Sequence, residues 1–492
     1  MAFGICLHQK NKEGLSFGSP FFIAFVTAEE SIAVEHDLYA IMRFMERKDY
    51  NITLIALGCS KNLVDCECMS KLLKEAGYNV ISDVDTADVA VINTCGFIES
   101  AKTEAISTIL DVADYKKEGR LKHIIATGCL AQRYSSEILE EMPEVDAVLG
   151  TAHYGDIVSV VDGLISEGNP DIELTSGVGG LTHLLEDRDI STPGYAWLKI
   201  GEGCLHRCAF CAIPLIRGTF ISRPMEDIIR EAEVIASKGV KEIILAAQDT
   251  TNYGIDLYKK KCLPELLRKL SQIDGIEMIR VMYGYMDGMT DELIEEIASN
   301  PKVLHYFDIP IQHGSAKILK AMFRKDTPEL ITERLAAIRK KIPDAIIRTT
   351  VMVGFPGETE EDFEELKANL VKWEFDRLGC FIFSPEEGTK AYDMEDQIPD
   401  EIKQRRYEEI YAVQQEISSK LTKKRLGTTV KVNIVSVSDD GIFYIGRSYG
   451  ESPEVDPVIY VAAEKGELNI GDIVDVKIVD CSDDYDMTGV TV

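Results

Sequence analysis

Three short runs rich in Val, Ile and Leu each end at a cysteine beside a glycine: Ile52 to Leu57 leads to Cys59 in IALGC, Val89 to Thr94 to Cys95 in INTCG, and His123 to Thr127 to Cys129 in IATGC. A helix-like segment follows each run. Short apolar runs alternating with helices predict parallel strands joined by crossover helices, an α/β domain from about residue 50 to 180. Parallel strands present their C-terminal ends along one edge, so thiols 36 and 34 residues apart in the chain are brought together there. A single cysteine is most often a small buried hydrophobe, but three at equivalent strand ends point to metal ligation. Gly58, Gly96 and Gly128 are expected to let the backbone approach a bulky inorganic body. Cys66 and Cys68 fall in the following helix and are read as bystanders, as are Cys6, Cys262, Cys380 and Cys481.

A second set lies in GEGCLHRCAFCAIP, where Cys204, Cys208 and Cys211 form a C-x3-C-x2-C pattern just after a strand ending at Ile200. One loop of that length wraps three thiolates around one cluster, and three cysteines on a four-iron cube leave one iron open to a substrate. A structural zinc site needs a fourth ligand; His206 is at hand but cramped inside the loop. The predicted strands here are Ala196 to Ile200, Glu242 to Ala246, Met278 to Tyr283, Tyr306 to Ile309, Ile346 to Val353 and Arg377 to Phe383. Helices such as Met225 to Lys238 and Asp291 to Ser299 separate them, and six such units predict a barrel or partial barrel with its chemistry at the strand C-termini. Gln248, Asp249 and Thr250 follow one strand, Gln312 and His313 another; Arg348 lies on a later strand that ends in the turn VGFPGET. Gln248, Asp249, His313 and Arg348 are therefore candidate ribose and carboxylate contacts, although any one alone is more often a cap or loop residue. No catalytic side chain is assigned beyond the cluster ligands.

At 492 residues the chain is long enough for two to four domains. The expected divisions are an extension over 1–49, a cluster domain over 50–185, the barrel over 190–425 and a last domain over 426–492. Within the extension Glu29 to Arg47 reads as a helix, and Met42 or Met45 is an alternative start. Gln404 to Arg425 reads as one charged helix leading out of the barrel. Val430 to Val437, Ile442 to Arg447, Val458 to Val461 and Ile473 to Val479 are short strands broken by turn residues, the pattern of a small antiparallel barrel. The apolar stretch Pro20 to Val26 is far shorter than a membrane span, and no leader pattern is present. A cytoplasmic location is expected, where twelve cysteines favour metal ligation over disulfides. A net charge of −30 opposes nucleic acid as a direct substrate.

The C-x3-C-x2-C motif, with Phe210 before its last cysteine, resembles that of the radical S-adenosylmethionine superfamily. In that superfamily the open iron chelates the methionine moiety, and reduction yields a 5′-deoxyadenosyl radical that abstracts a substrate hydrogen. Residues 51 to 492 together resemble the methylthiotransferase family, which joins an N-terminal cluster domain, a radical barrel and a C-terminal TRAM domain. The resemblance implies two [4Fe-4S] clusters, one on Cys59, Cys95 and Cys129 and one on Cys204, Cys208 and Cys211. It implies one S-adenosylmethionine as methyl donor and another as radical source, an electron donor such as flavodoxin or ferredoxin, and a sulfur donor that stays unassigned.

LGCSKNLVDCE (Leu57 to Glu67), NTCGFIESAKTEAI, TGCLAQRY and AQDTTNYGIDLY resemble the branch that modifies an aspartate of small-subunit ribosomal protein S-twelve; the branch that modifies transfer-RNA adenosine resembles a GCQMN start. Residues 427–492 hold 13 acidic side chains against 4 basic ones, a surface suited to a basic ribosomal protein. Asp439, Asp440, Glu451, Glu454 and Asp456 are expected in loops that reach this partner. The alternatives are a transfer-RNA adenosine methylthiotransferase and a non-enzymatic iron–sulfur electron carrier.

Overall fold

The computed structural model describes residues 47–167, 172–464, 466–481 and 485–492. Cys6, the helix expected over Glu29 to Arg47 apart from its last residue, and the alternative starts at Met42 and Met45 lie outside the described residues.

The first domain is a parallel six-stranded sheet in the order β2-β1-β3-β4-β5-β6. Its elements are β1 (Asn51–Ala56), α1 (Ser60–Glu75), β2 (Asn79–Ile81), β3 (Val89–Thr94), α2 (Glu99–Lys117), β4 (His123–Gly128), α3 (Cys129–Arg133), α4 (Ser135–Glu141), β5 (Ala147–Leu149), α5 (Ile157–Glu167) and β6 (Ile172–Leu174). The central strand β3 is buried along its whole length, as its unbroken apolar run requires of a strand covered on both faces. Side chains alternate between those faces. Ala90 and Ile92 join Ile109 and Val112 of α2, whereas Val89 and Val91 join Met69 and Leu73 of α1.

The second domain contains β7 (Tyr195–Lys199), the short pair β8 (Gly201–Glu202) and β9 (Ile221–Ser222) with α6 (Ile213–Ile216) between them, α7 (Met225–Ser237), β10 (Glu242–Ala246), α8 (Leu263–Leu270) and β11 (Met278–Val281). It continues through α9 (Asp291–Ser299), β12 (Tyr306–Asp308), α10 (Ala316–Ala321), α11 (Pro328–Lys341), β13 (Ile346–Val353), α12 (Glu360–Trp373) and β14 (Arg377–Ile382). The six main strands form two parallel sheets, β11-β10-β7 and β12-β13-β14, linked by a parallel bridge between Ile279 and Val303. This is the partial barrel expected. Its outer face packs on the helices through Leu198, Ile243, Ile279, Phe307 and Ile347. The opposite face carries Tyr195, Trp197, Ile244, Met282 and Tyr306, and these pack on Val64 and Cys68 of α1. A helix of the first domain thus completes the barrel's interior.

The charged helix α13 (Asp400–Thr422) does not simply lead away from the barrel. It lies back on it, burying Ile410, Gln414 and Ile417, with the Gln414 amide donating to the Phe375 carbonyl at 2.8 Å. The last domain, β15 (Thr429–Val437), β16 (Tyr444–Arg447), β17 (Ile459–Ala462), β18 (Ile473–Asp480) and β19 (Met487–Thr491), is a closed five-stranded barrel. It is antiparallel except where β17 pairs in parallel with β19.

This small barrel seals the end of the partial barrel where the strands begin. Glu242, the first residue of β10, is buried and holds Arg447 at 2.9 Å, Arg280 at 3.2 Å and Asn433 at 3.0 Å. Arg280 also donates to the carbonyls of Ser448 and Tyr449. Two of the five carboxylates expected to reach a partner belong to this seam. Glu451 is fully buried against Arg425, and Asp456 accepts from the Tyr306 hydroxyl and lies 3.6 Å from Arg348. Loop position does not imply exposure where a loop is clamped between domains. Asp439, Asp440 and Glu454 are exposed.

Glu242→Gln leaves the buried guanidiniums of Arg280 and Arg447 undercompensated, at a cost of about 3–5 kcal/mol. Limited proteolysis should then cleave at the junction near Gly427 and release the small barrel severalfold faster than in the wild type, whereas Asp439→Asn should leave the rate unchanged. Equal cleavage rates for Glu242→Gln and wild type would contradict this role of the seam.

Candidate functional site

Strands β1, β3 and β4 lie side by side, and the chain carries Cys59, Cys95 and Cys129 just beyond their ends. Gly58 (φ +87°) and Gly128 (φ +94°) sit in a conformation that side chains rarely adopt. A Cβ on Gly58 would stand 2.7 Å from that of Cys95, and one on Gly96 2.8 Å from the Leu130 backbone. These glycines therefore let the strand ends approach one another closely, and a Cβ on Gly58 would also stand 3.0 Å from the Cys95 Sγ. Burial pushes the Cys95 thiol up to about 12, with the Cys129 and Cys59 thiols adding to the rise. Burial also raises Cys129, while Arg217 opposes it. Burial would raise Cys59 as well, but the Lys61 ammonium and Arg217 guanidinium, with the backbone N–H groups of Asn62 and Lys61, bring it below the ordinary value.

The second set is held in a loop whose backbone is tied at several points. The Cys204 N–H donates to the Gly218 carbonyl at 3.2 Å, that of Ala209 to the Met322 carbonyl at 3.0 Å, and that of Cys211 to the Cys208 carbonyl at 3.1 Å. Burial pushes Cys204 up to about 12 and raises Cys211, with Cys208 and Cys204 adding. Cys208 is also raised by burial, with the Arg324 guanidinium opposing. His206, the alternative zinc ligand, directs Nε2 at Asp249 Oδ2 at 2.9 Å and stacks on Tyr285 with ring centroids 3.9 Å apart.

The two sets share a wall. Ala212 and Ile216, one beside α6 and one within it, pack on Cys129. Arg217 follows at the end of that helix and is fully enclosed. Its guanidinium binds Glu202 at 2.8 Å, Asp65 at 3.2 Å and Asn62 Oδ1. Asn62 in turn donates to the carbonyls of Leu57 and Thr94 at 2.9 and 3.1 Å, tying the ends of β1 and β3. Asp65, one turn along α1, meets Lys199 Nζ and His183 Nε2, each at 2.7 Å. Burial would raise its carboxyl, but Lys199, His183 and Arg217 hold it well below the usual carboxylate range. Asn62, Asp65, Lys199, Glu202 and Arg217 were not read from the sequence as site residues. The available signal was charge inside apolar elements, such as Lys199 in the strand YAWLK.

The four candidate cofactor contacts are placed differently from one another. Gln248 donates to Glu202 Oε1 at 2.6 Å, while its own Oε1 is buried without a hydrogen-bond partner among the described residues. Asp249 is buried, accepts from the Thr251 N–H at 2.9 Å and orients His206. His313 lies beneath the Gly/Pro turn, where Nδ1 accepts from the Ser315 N–H at 2.9 Å and Nε2 is 3.5 Å from Glu358. Arg348 is near the start of β13, not its end, paired with Asp308 at 2.8 Å. The structure thus brings Gln248 and Asp249 to the cysteine loop and pairs Arg348 elsewhere, while His313 Nε2 is buried without a hydrogen-bond partner among the described residues.

Among the described residues no group of His, Cys, Asp or Glu side chains forms a ready-made site for a single metal ion. Each set nevertheless fits a cysteine-held cube: three thiols in one neighbourhood, beside one enclosed guanidinium, Arg217 in one case and Arg324 in the other.

Residues 51–150 match the Uncharacterized protein family UPF0004, residues 198–370 the Radical SAM superfamily and residues 424–492 the TRAM domain. The ribosomal protein uS12 methylthiotransferase RimO of Acetivibrio thermocellus is 49% identical over 444 residues, covering 89% of this chain and 97% of that protein. The protein of the same name from Thermoanaerobacter sp. is 48% identical over 444 residues, covering 89% and 99%. The structure of the radical S-adenosylmethionine methyltransferase TsrM from Kitasatospora setae, with cobalamin and a [4Fe-4S] cluster bound, shares the fold with a TM-score of 0.51. It is 13% identical, and the match covers 68% of this chain and 75% of that one.

Thiol chemistry follows from these environments, because only the thiolate reacts. In cluster-free protein near neutral pH, Cys59, partly exposed and with its pKa lowered, should be alkylated by iodoacetamide well before Cys95 or Cys204. Raising the pH should narrow the difference, since more of the high-pKa thiols ionise. Arg217→Met removes one cation beside Cys59 and should slow its alkylation severalfold, read by peptide mass spectrometry; reaction of Cys95 first would contradict the assignment of these environments.

Proposed function

We infer the reaction from kinship: the chain belongs to the ribosomal protein uS12 methylthiotransferase family of radical S-adenosylmethionine proteins. It adds a methylthio group to the β-carbon of an aspartate in uS12. The observation that carries this reading is the shared wall, with Cys129 packed on Ala212, the residue after Cys211, and on Ile216. A reaction that needs radical chemistry and a sulfur donor at one substrate carbon needs its two centres adjacent.

We assign Cys204, Cys208 and Cys211 as ligands of the radical cluster and Cys59, Cys95 and Cys129 as ligands of a second [4Fe-4S] cluster. When bound, the first cluster and S-adenosylmethionine would supply the hydrogen-abstracting radical, and the second cluster, or sulfur attached to it, the methylthio sulfur. The chain's own residues hold and screen these groups. Arg217 and Arg324 offset negative charge on the two thiol sets, Asp249 fixes the His206 ring over Tyr285, and the free Gln248 Oε1 is an acceptor for a ribose hydroxyl. A reductant of the flavodoxin or ferredoxin class supplies the electron. No described helix is long and apolar enough to cross a membrane.

Anaerobic reconstitution should load about eight irons per chain, two four-iron cubes. Replacing Cys204, Cys208 and Cys211 with Ala should halve the iron and abolish 5′-deoxyadenosine formation. Replacing Cys59, Cys95 and Cys129 should also halve it but spare 5′-deoxyadenosine while eliminating the mass increase on uS12. Methylthiolation of transfer RNA in place of uS12 by the wild type would favour the adenosine-modifying alternative.

A further inference from the structure

Lys61 is an exception among the cations enclosed where the domains meet. Lys199 pairs with Asp65 and Glu202, Arg217 with the same two carboxylates, Arg188 with Glu67 and Glu231, and Arg280 with Glu242. Lys61 is also buried, at 7% relative exposure. Its ammonium instead lies 3.4 Å from the centroid of the Tyr283 ring, and among the described residues no carboxylate pairs with it. An aromatic face attracts a cation but offsets only part of the cost of removing an ammonium from water. The Cys59 thiol, when ionised, also attracts the ammonium; with no carboxylate beside it, the site retains capacity for one.

The surroundings hold this arrangement in place. Lys61 is in the first turn of α1, two residues from Cys59, and that helix cannot shift while Asp65 is gripped by Lys199, His183 and Arg217. Tyr283 has φ +58°, a strained conformation for a non-glycine residue. Its N–H donates to Asp308 Oδ2 at 3.0 Å, its carbonyl accepts from the Thr250 N–H at 3.1 Å, and its hydroxyl is 3.3 Å from Ser60 Oγ. Two residues on, Tyr285 stacks on His206 of the radical loop. Lys61 thus stands beside one thiol set and, through the Tyr283 to Tyr285 segment, next to the other.

We propose that Lys61 is a specificity-determining residue that receives the side-chain carboxylate of the substrate aspartate and so presents the adjacent β-carbon where the two thiol sets come together. This rests on the function proposed above. A carboxylate is also present in S-adenosylmethionine, and the second cluster is itself anionic, so the test separates the three.

Full-length, reconstituted enzyme is compared as wild type, Lys61→Met, which is near-isosteric and neutral, and Lys61→Arg, which keeps the charge. The Kd of fluorescently labelled uS12 is measured without reductant, for uS12 with its target aspartate and for uS12 with asparagine there. Wild type should prefer the aspartate form at least tenfold, Lys61→Met should bind both forms alike, and Lys61→Arg should restore part of the preference. Iron content and the Kd of S-adenosylmethionine should stay within twofold of wild type. Equal wild-type affinity for the two forms overturns the proposal without any variant. A loss of iron or of S-adenosylmethionine binding in Lys61→Met, with the aspartate preference intact, overturns it in favour of the cluster or the cofactor. Wild-type enzyme that fails to methylthiolate uS12 under dithionite, S-adenosylmethionine and sulfide refutes the underlying function instead.

Discussion

The arrangement of this molecule depends on one buried carboxylate. Asp65 sits on a helix of the first domain and is met by Lys199 of the first barrel strand, Arg217 of the radical-loop helix and His183 of the connecting segment. None of these charges is affordable alone in a dry interior; each is tolerable because the others are fixed around it. Removing any one strands the remainder, so the two domains have a single relative placement. That placement sets α6 against Cys129, and the proximity of the thiol sets follows from it.

The same logic runs at the far end. Glu242 with Arg280 and Arg447, and Glu451 with Arg425, close the partial barrel where its strands begin. With that end sealed, approach from solvent is left to the end where the strands finish and the cysteine loops stand. Apolar packing fills the space between, with Trp197, Ile244 and Met282 against Val64 and Cys68. The polar clusters thus specify orientation, while the apolar contacts supply most of the favourable burial.

Much of this was legible in the chain itself. Val89–Thr94, Glu242–Ala246, Ile346–Val353 and the helix Asp291–Ser299 lie where their patterns placed them, because long runs with a clean period leave little choice. Three three-residue strands, Asn79–Ile81, Ala147–Leu149 and Ile172–Leu174, did not register, whereas Tyr306–Asp308, of the same length, was marked by the apolar run that continues to Ile309. Met487–Thr491, broken by a glycine, was hidden as well. The convergence of the cysteines could be foreseen from strand direction, but the use of Asp65, Arg217 and Lys61 could not. A charged residue's partner comes from distant chain, and its side chain looks the same in sequence whether solvated or enclosed. Glu451 and Asp456 show the converse, since turn-like surroundings disguised anchors as surface.

The helix that completes the barrel's interior has a consequence for how the protein is made. Asp65 and Lys199, which touch, are 134 residues apart, and α1 leaves the ribosome long before the first barrel strand. Its own sheet needs nothing from downstream, so the first domain is assembled when Tyr195 and Trp197 emerge. The barrel then grows around a finished template in place of closing on an empty centre. A barrel transplanted without that domain would expose the apolar face carried by Tyr195, Trp197, Ile244 and Tyr306, the kind of surface on which aggregation begins.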